Sequence, residues 1–139
     1  MASVGVSAGD IFVYPYLWVR EHRDGEEEGR KPRESMLVVK TTDKNGDVNL
    51  FILAITGSFD GVGEAVEIPE MEKRRAGLET NKRLWVILDE YNHDILGKSY
   101  YFQPNDKRGS LSDAFTQVVL GRFMTLARGK RLKAVPRNS

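Results

Sequence analysis

The chain has 139 residues, a net charge of +1 and no cysteine. That length suits one domain, and the lack of cysteine excludes a disulfide framework, a thiolate metal site and a cysteine nucleophile. Its apolar runs are far shorter than the roughly 20 residues that a membrane helix needs, and residues 1–10 lack the pattern of a secretory signal. We therefore expect one cytoplasmic domain over residues 1–139, with an ordered core of about 9–128, a basic tail at 129–139 and no membrane segment.

Six segments are rich in β-branched, aromatic or other apolar residues, which favours strands. They span residues 11–19, 36–41, 48–56, 65–68, 84–88 and 99–102. Pro15 lies within the first segment and indicates an edge strand or a bulge. The third segment has no polar residue between Leu50 and Ile55, which indicates a central strand buried on both faces.

The segments between these strands carry loop and helix signals. Residues 21–33 are highly charged and contain glycine and proline, so they predict a long loop of the kind that often has a function. Residues 57–63 predict a second, glycine-rich loop. A short helix is predicted at 70–75, because Pro69 suits a first helical turn and Gly77 suits a helix end.

The last predicted element is a helix that is capped by Ser110 or Ser112. Its apolar residues share one stripe at three- and four-residue spacing: Leu111, Phe115, Val118, Val119, Phe123 and Leu126. Residues after Arg128 are expected to be frayed. The whole pattern predicts a mainly β fold, a small barrel or strongly bent sheet of about six strands, with a short helix and a C-terminal helix.

Most cofactor-dependent chemistry leaves a sequence signature that this chain lacks. There is no residue spacing typical of a zinc site, no phosphate-binding loop and no Gly-x-Ser-x-Gly turn. The glycines at 57–63 precede a predicted strand, whereas a dinucleotide fingerprint opens a helix. We therefore expect no metal and no cofactor, which leaves acid–base catalysis by side chains alone, or binding without catalysis.

Seven short segments follow one another along the chain: Gly9-Asp10-Ile11-Phe12, the charged loop Gly25-Glu26-Glu27-Glu28-Gly29-Arg30-Lys31-Pro32, Val38-Val39, Ala54-Ile55-Thr56, Ala76-Gly77-Leu78, Val86-Ile87-Leu88-Asp89-Glu90 and Val119-Leu120-Gly121-Arg122-Phe123. In this order they resemble the MazF/PemK family of toxin–antitoxin toxins. The resemblance covers roughly residues 9–126. It implies an SH3-like barrel, a homodimer, and the toxin of a type II toxin–antitoxin system that is inhibited by a small antitoxin protein.

The resemblance also implies a growth inhibitor that binds and cleaves single-stranded RNA, such as mRNA, without a metal. Such an endoribonuclease needs three groups. A base removes the proton of the ribose 2′-hydroxyl, an acid protonates the leaving 5′-oxygen, and a cation stabilises the negative phosphorane.

Carried over by position, the catalytic residues implied are Lys31, Thr56 and Asp89. Lys31 stands where the family has an arginine before the loop proline, Thr56 positions the phosphate, and Asp89 is the base. Arg30 and Arg33 flank Lys31 and are expected to bind RNA phosphate. The family's acid is an arginine two residues before the aspartate, where this chain has Ile87.

Other side chains are candidates by residue type. Histidine is a common general acid or base in proteins, so His93 and His22 are candidates for these roles. Tyr16 and Trp18 are two residues apart, so their side chains are expected on the same face of the predicted strand, and they precede the basic loop. They are therefore candidate stacking platforms for RNA bases.

Four alternatives stay open. Asp89 and Thr56 also suit a plain strand end, and the charged loop and basic tail also suit a solvated surface. The two departures at Lys31 and Ile87 favour a non-catalytic module that binds nucleic acid or protein on the same barrel. A gyrase-poisoning toxin shares the fold, but the loop at 25–32 argues against it.

Overall fold

The computed structural model describes residues 5–25 and 31–137. Within these residues there are eight strands: β1 Asp10–Tyr14, β2 Arg33–Thr42, β3 Val48–Thr56, β4 Ala65–Glu67, β5 Trp85–Ile87, β6 Glu90–Ile95, β7 Lys107–Ser110 and β8 Lys133–Pro136. The α-helices are α1 Val19–Arg23, α2 Glu70–Ala76 and α3 Asp113–Arg128, and a 3-10 turn spans Pro104–Asp106. The predicted mainly β class is confirmed, with more strands than the six expected.

The strands form one open sheet in the order β4-β5-β3-β2-β1-β7, with β6 branching from β3 and β8 pairing with β6. Strand β3 is shared between two neighbours on one side. Its first half pairs with β6 at Asn49–Ile52, and its end pairs with β5 at Ile55 and Thr56. Every pairing is antiparallel except that of β6 with β8. The predicted central position of β3 is confirmed, and its end at Thr56 borders the cleft described below.

Alternate residues of the central strands pack into two apolar clusters, one on each face of the sheet. The cluster under α2 and α3 includes Ile11, Met36, Leu53, Ile55, Ala76, Phe115, Val119 and Phe123. The cluster on the opposite face includes Phe12, Tyr14, Tyr16, Leu37, Leu50, Ile52, Ala54 and Phe102. Because both faces are covered, the central strands are apolar at successive positions, as expected for doubly buried strands.

The predicted first strand is shorter than expected. Strand β1 ends at Tyr14, immediately before Pro15, which has no N–H group to donate to a ladder. Of the two alternatives predicted from Pro15, the edge position is wrong, because β1 pairs with β2 on one side and β7 on the other. An irregularity is present in β1, where the pairing with β7 shifts register between Ile11 and Phe12. The chain then turns into α1, whose N-cap is Trp18, so part of the predicted loop at 21–33 is helical.

The predicted strand at 99–102 is absent, and β6 takes its place in the sheet. The sequence of β6 lacks the apolar pattern of a strand, because two of its inward-facing residues are polar. These residues are Asn92 and Asp94, both 0% exposed. Long-range hydrogen bonds satisfy them. Asp94 accepts from the Tyr14 hydroxyl at 2.8 Å and from the Ser99 hydroxyl at 2.6 Å.

The prediction of a frayed segment after Arg128 is also wrong for the residues as far as Arg137. Strand β8 pairs with β6 in parallel, and Val135 is fully buried. The Arg137 guanidinium lies 3.9 Å from the Tyr101 ring centroid and donates to the Pro15 carbonyl oxygen at 3.1 Å.

The predicted helices are largely confirmed. Helix α2 ends at Gly77, which adopts a positive φ of 74°, and the Ser112 hydroxyl caps α3 by accepting from the Phe115 N–H at 3.1 Å. The predicted apolar stripe of α3 holds except at Val118, which is 53% exposed. None of the helices in the described ranges is both long and apolar enough to span a membrane.

Candidate active site

A cleft of about 800 Å³ opens where the end of β3, the start of β2, the start of α1 and the β5–β6 connection meet. It gathers residues that are far apart in sequence. Its lining consists of Trp18, Arg20, Lys31, Arg33, Thr56, Gly57, Ser58, Phe59, Asp60, Val62, Lys82, Ile87, Asp89 and Glu90. The predicted catalytic residues Lys31, Thr56 and Asp89 therefore share one cavity with the predicted RNA-binding residues Arg33 and Trp18.

Four cations line the cleft: Arg20, Lys31, Arg33 and Lys82. Across residues 5–25 and 31–137, none of them forms an ion pair with a carboxylate. Other arginines of the chain, such as Arg83 with Glu67 at 2.7 Å, do form such pairs. Cations that converge on a concave surface attract anions such as phosphate groups.

Two of these cations lie close to the ring of Trp18. The guanidinium carbons of Arg20 and Arg33 are 5.1 Å and 5.2 Å from its ring centroid. The ring is half-buried and meets the Tyr16 ring edge-on, with the centroids 5.1 Å apart. Guanidinium groups on an indole are held by cation–π attraction, so Trp18 fixes the positions of two positive charges beside the cleft.

Tyr16 does not suit the predicted stacking role. Its side chain is only 1% exposed, and its hydroxyl donates to Glu90 Oε1 at 3.2 Å. The ring belongs to the core on the face of the sheet opposite α3. Tyr16 and Trp18 were expected to share one face of a strand. That expectation is wrong because β1 ends before Pro15, so the two residues do not lie on one strand.

Thr56 is the last residue of β3, and its hydroxyl oxygen accepts from the Ser58 N–H at 3.0 Å. This bond shapes the start of the loop at 57–63, which forms one wall of the cleft. The same loop passes close to Asp89. Gly63 has a φ of 89°, and a Cβ added there would be 2.7 Å from Asp89 Oδ2. A side chain at position 63 would therefore displace the aspartate.

Asp89 and Glu90 both line the cleft although they are adjacent in sequence. Neighbouring residues of a regular strand point to opposite faces. Asp89, however, lies at a bend between β5 and β6, and this bend lets both side chains reach one cavity. Asp89 Oδ2 accepts a long hydrogen bond from the Glu64 N–H at 3.4 Å.

Glu90 is held more firmly than Asp89. Its Oε1 atom accepts from the Val19 N–H at 3.0 Å and from the Tyr16 hydroxyl at 3.2 Å. Burial raises the pKa of Glu90, because desolvation disfavours the carboxylate, and the nearby charge of Asp89 adds to the rise. The two hydrogen bonds and Arg20 act in the opposite direction but do not cancel the effect of burial.

The two histidines lie outside the cleft. His22 is exposed on α1. His93 is on β6, where its Nε2 is 2.7 Å from Asn49 Oδ1 and its ring meets Phe51 with the centroids 5.4 Å apart. The structure therefore does not bring either histidine to Asp89. The predicted phosphate-binding residue Arg30 lies outside the described residues.

Sequence reasoning missed three residues of the cleft: Arg20, Lys82 and Glu90. Arg20 and Lys82 belong to segments without a motif, and only the folded chain brings them near Thr56. One indication in the sequence that Glu90 belongs to the site is its position directly after Asp89. In the segments that the structure covers, no three histidine or carboxylate side chains are grouped so as to hold a metal ion.

No model of a known protein family matches this chain, and no curated protein matches it. The resemblance to the MazF/PemK toxins therefore rests on the segments quoted above.

Proposed function

We propose that the chain is a metal-independent endoribonuclease that cleaves single-stranded RNA, and that it is the toxin of a type II toxin–antitoxin pair. The observation that supports this proposal is the meeting of Lys31, Arg33, Thr56 and Asp89 at one cleft. These residues come from three separate parts of the sequence, and each matches a position of the resemblance or lies beside one. The finer fold that we propose is a variant of the SH3-like barrel.

The cleft offers two of the three groups that the reaction needs. Asp89 is the base that removes the proton of the 2′-hydroxyl, and a positioned base of this kind contributes roughly 10²- to 10⁴-fold to a rate. Lys31 and Arg33 bind the phosphate and stabilise the charge that develops on the phosphorane. Thr56 orders the loop at 57–63 against which the phosphate rests.

Trp18 is the platform on which one RNA base stacks. Its ring is half-buried, lines the cleft, and carries Arg20 and Arg33 beside it. Base-on-aromatic stacking tolerates different sequences, because every base has a π-face. The arginines are then placed to contact the phosphates next to the stacked base.

We further propose that the protein acts in the cytoplasm as a homodimer and that an antitoxin protein blocks it. An acidic, disordered antitoxin segment suits the same four cations that bind RNA phosphate. Inhibition would then be direct competition between the antitoxin's carboxylates and the RNA phosphates for one surface.

A second function, binding without catalysis, is favoured by one specific observation. Ile87 lines the cleft where the resemblance implies an arginine that serves as the acid. An apolar side chain cannot donate a proton, and Lys31 lacks the two-pronged hydrogen bonding of an arginine. A module of this kind would bind RNA or an acidic protein and leave the phosphodiester intact.

The decisive experiment incubates the purified protein with a long single-stranded RNA in EDTA and maps new ends. We expect discrete cuts that leave 2′,3′-cyclic phosphate and 5′-hydroxyl ends. The variant Asp89→Asn keeps the shape of the side chain and should lower the rate roughly 10²-fold or more. Asp106→Asn, on an exposed residue away from the cleft, is the matched control. Intact RNA with retained RNA binding would favour the binding module instead.

A further inference from the structure

We propose that Glu90 is the general acid that protonates the leaving 5′-oxygen. Ile87 stands where the resemblance implies the acid, and its apolar side chain cannot take that role. This inference rests on the proposed ribonuclease function. It assigns a residue that the resemblance does not supply, and it starts from the placement of Glu90 beside Asp89 in the cleft.

The position of Glu90 suits an acid that works opposite a base. The bend at Asp89 turns both carboxyl groups toward the same cavity. General acid–base cleavage of RNA needs one group at the 2′-hydroxyl and another at the 5′-oxygen, on either side of the phosphorus. Of the acidic side chains that line the cleft, the remaining one is Asp60, which is exposed and binds its own loop through the Val62 N–H at 2.9 Å.

The hydrogen bonds of Glu90 fix where its proton sits. Oε1 is occupied as an acceptor by two donors, the Val19 N–H and the Tyr16 hydroxyl. The proton of the neutral acid is therefore carried by Oε2. Tyr16 lies in the segment between β1 and α1, and Val19 is the first residue of α1, so both donors come from one short stretch of the chain.

The surroundings of Glu90 favour the protonated form. Burial and the charge of Asp89 on the β5–β6 bend raise the pKa of Glu90, whereas the hydrogen bonds from the Val19 N–H and the Tyr16 hydroxyl and the charge of Arg20 on α1 lower it. Burial prevails, and the pKa lies above the ordinary value for glutamate. Lys31, Arg33 and Lys82 also line the cleft, where a bound RNA phosphate would offset their charges. A carboxyl group with a raised pKa is the usual acid of a carboxylate pair.

The proposed step balances in atoms and protons. The 2′-oxygen forms a bond to phosphorus as its proton passes to Asp89. The bond from phosphorus to the 5′-oxygen breaks, and that oxygen takes the proton from Oε2 of Glu90. The products are a 2′,3′-cyclic phosphate and a 5′-hydroxyl, and exchange with water then returns Asp89 to the carboxylate and Glu90 to the acid.

The test compares two versions of one RNA cleavage site, with either oxygen or sulfur at the bridging 5′ position. A thiolate leaves without protonation, so loss of the acid should matter only for the oxygen substrate. We expect Glu90→Gln to cleave the oxygen substrate roughly 10²-fold more slowly than the wild type and the sulfur substrate at nearly the wild-type rate. Asp89→Asn should be slow on both, and Glu70→Gln on exposed α2 should be normal on both.

The pH profile supplies a second readout. The rate of the wild type on the oxygen substrate should fall at high pH as Glu90 loses its proton, and Glu90→Gln should lack that limb. Glutamine retains an oxygen that accepts from Val19 and Tyr16, so the fold is preserved, and RNA binding by the variant checks this.

The outcomes separate the two proposals. If Glu90→Gln is slow on the sulfur substrate too, or is as fast as the wild type on the oxygen substrate, the acid role is overturned while the ribonuclease stands. If the wild type cleaves neither RNA above the rate without protein, the proposed function fails, and the role of Glu90 fails with it.

Discussion

The side chain of Asn92 binds both backbone polar groups of Leu17. Its Oδ1 accepts from the Leu17 N–H at 2.9 Å, and its Nδ2 donates to the Leu17 carbonyl oxygen at 2.7 Å. Asn92 is fully buried on β6, two residues after Glu90. This pair attaches the irregular segment before α1 to the sheet, and the same segment carries Trp18 and one donor of Glu90, the Tyr16 hydroxyl.

Replacing Asn92 with alanine should therefore destabilise the protein and disturb the site. Two buried backbone groups would lose their partner, and each such loss costs about 1–3 kcal/mol. Urea unfolding should show a lower free energy of unfolding for Asn92→Ala. Asn81→Ala is the matched control, because Asn81 is exposed, and an equal loss in both variants would contradict this account.

Arg33→Gln should weaken RNA binding in a salt-dependent way. Each phosphate contact that is lost lowers the slope of log affinity against log salt by about 0.7 for a single strand. Binding of a short RNA at several salt concentrations measures that slope. Arg74→Gln removes one exposed arginine of α2, outside the cleft, and should leave the slope unchanged. A slope that is the same for both variants would remove Arg33 from the phosphate site.

Trp18→Ala should lose RNA affinity, because stacking on an aromatic ring contributes about 1–3 kcal/mol per base. Trp18→Phe should retain most of the affinity, since it keeps a ring. Fluorescence anisotropy with a labelled RNA gives the comparison. Tyr100→Ala is the control, because Tyr100 is 82% exposed but does not line the cleft.

Gly63→Ala should impair cleavage, whereas Gly61→Ala should not. Both glycines have a similar positive φ, 89° and 85°, so alanine strains the backbone equally at the two positions, at a cost of about 1–3 kcal/mol. Only at position 63 would the new Cβ meet Asp89, since nothing lies within 4 Å of a Cβ at position 61. Thermal unfolding should shift alike in the two variants, and RNA cleavage should fall in Gly63→Ala alone. Equal activities would mean that the contact with Asp89 is unimportant.

The raised pKa of Glu90 makes a prediction about stability. A carboxyl group whose pKa is higher in the folded protein than the ordinary 4.5 stabilises the fold below that pH. This contribution is lost as the pH rises through the folded pKa. The free energy of unfolding of the wild type, relative to Glu90→Gln, should therefore decrease from pH 4 toward neutral pH. Urea unfolding of both proteins at matched pH tests this sign, and an increase would contradict the assignment.

Elements with local signals were predictable from the sequence. Helix α2 is an example, because Pro69 and Gly77 mark its two ends and its charges complement the helix dipole. Strand β6 was not predictable, because Asn92 and Asp94 break the apolar pattern and are satisfied by Leu17 and Tyr14, far away in the chain. Strand β8 was hidden for a related reason, since the basic residues in and around it are typical of a solvated tail, and its pairing with β6 is visible only in the fold.

The candidate site divides in the same way. Thr56, Lys31 and Asp89 were found through a resemblance in short segments, which carries positions but not distances. Arg20 and Lys82 enter only through the fold. Glu90 reaches the cleft only because the chain bends at Asp89, so that two adjacent side chains point to the same side. No pattern in the sequence indicates that bend.

The parallel pairing of β8 with β6 gives the cleft a distant support. The Lys133 N–H donates to the Asp89 carbonyl oxygen at 3.1 Å, and the Arg137 N–H donates to the His93 carbonyl oxygen at 2.8 Å. A protease that cut the turn after α3 would release this strand and leave the backbone of Asp89 without its partner. Limited proteolysis near residue 130 should therefore disturb the backbone of Asp89 without changing any side chain of the cleft.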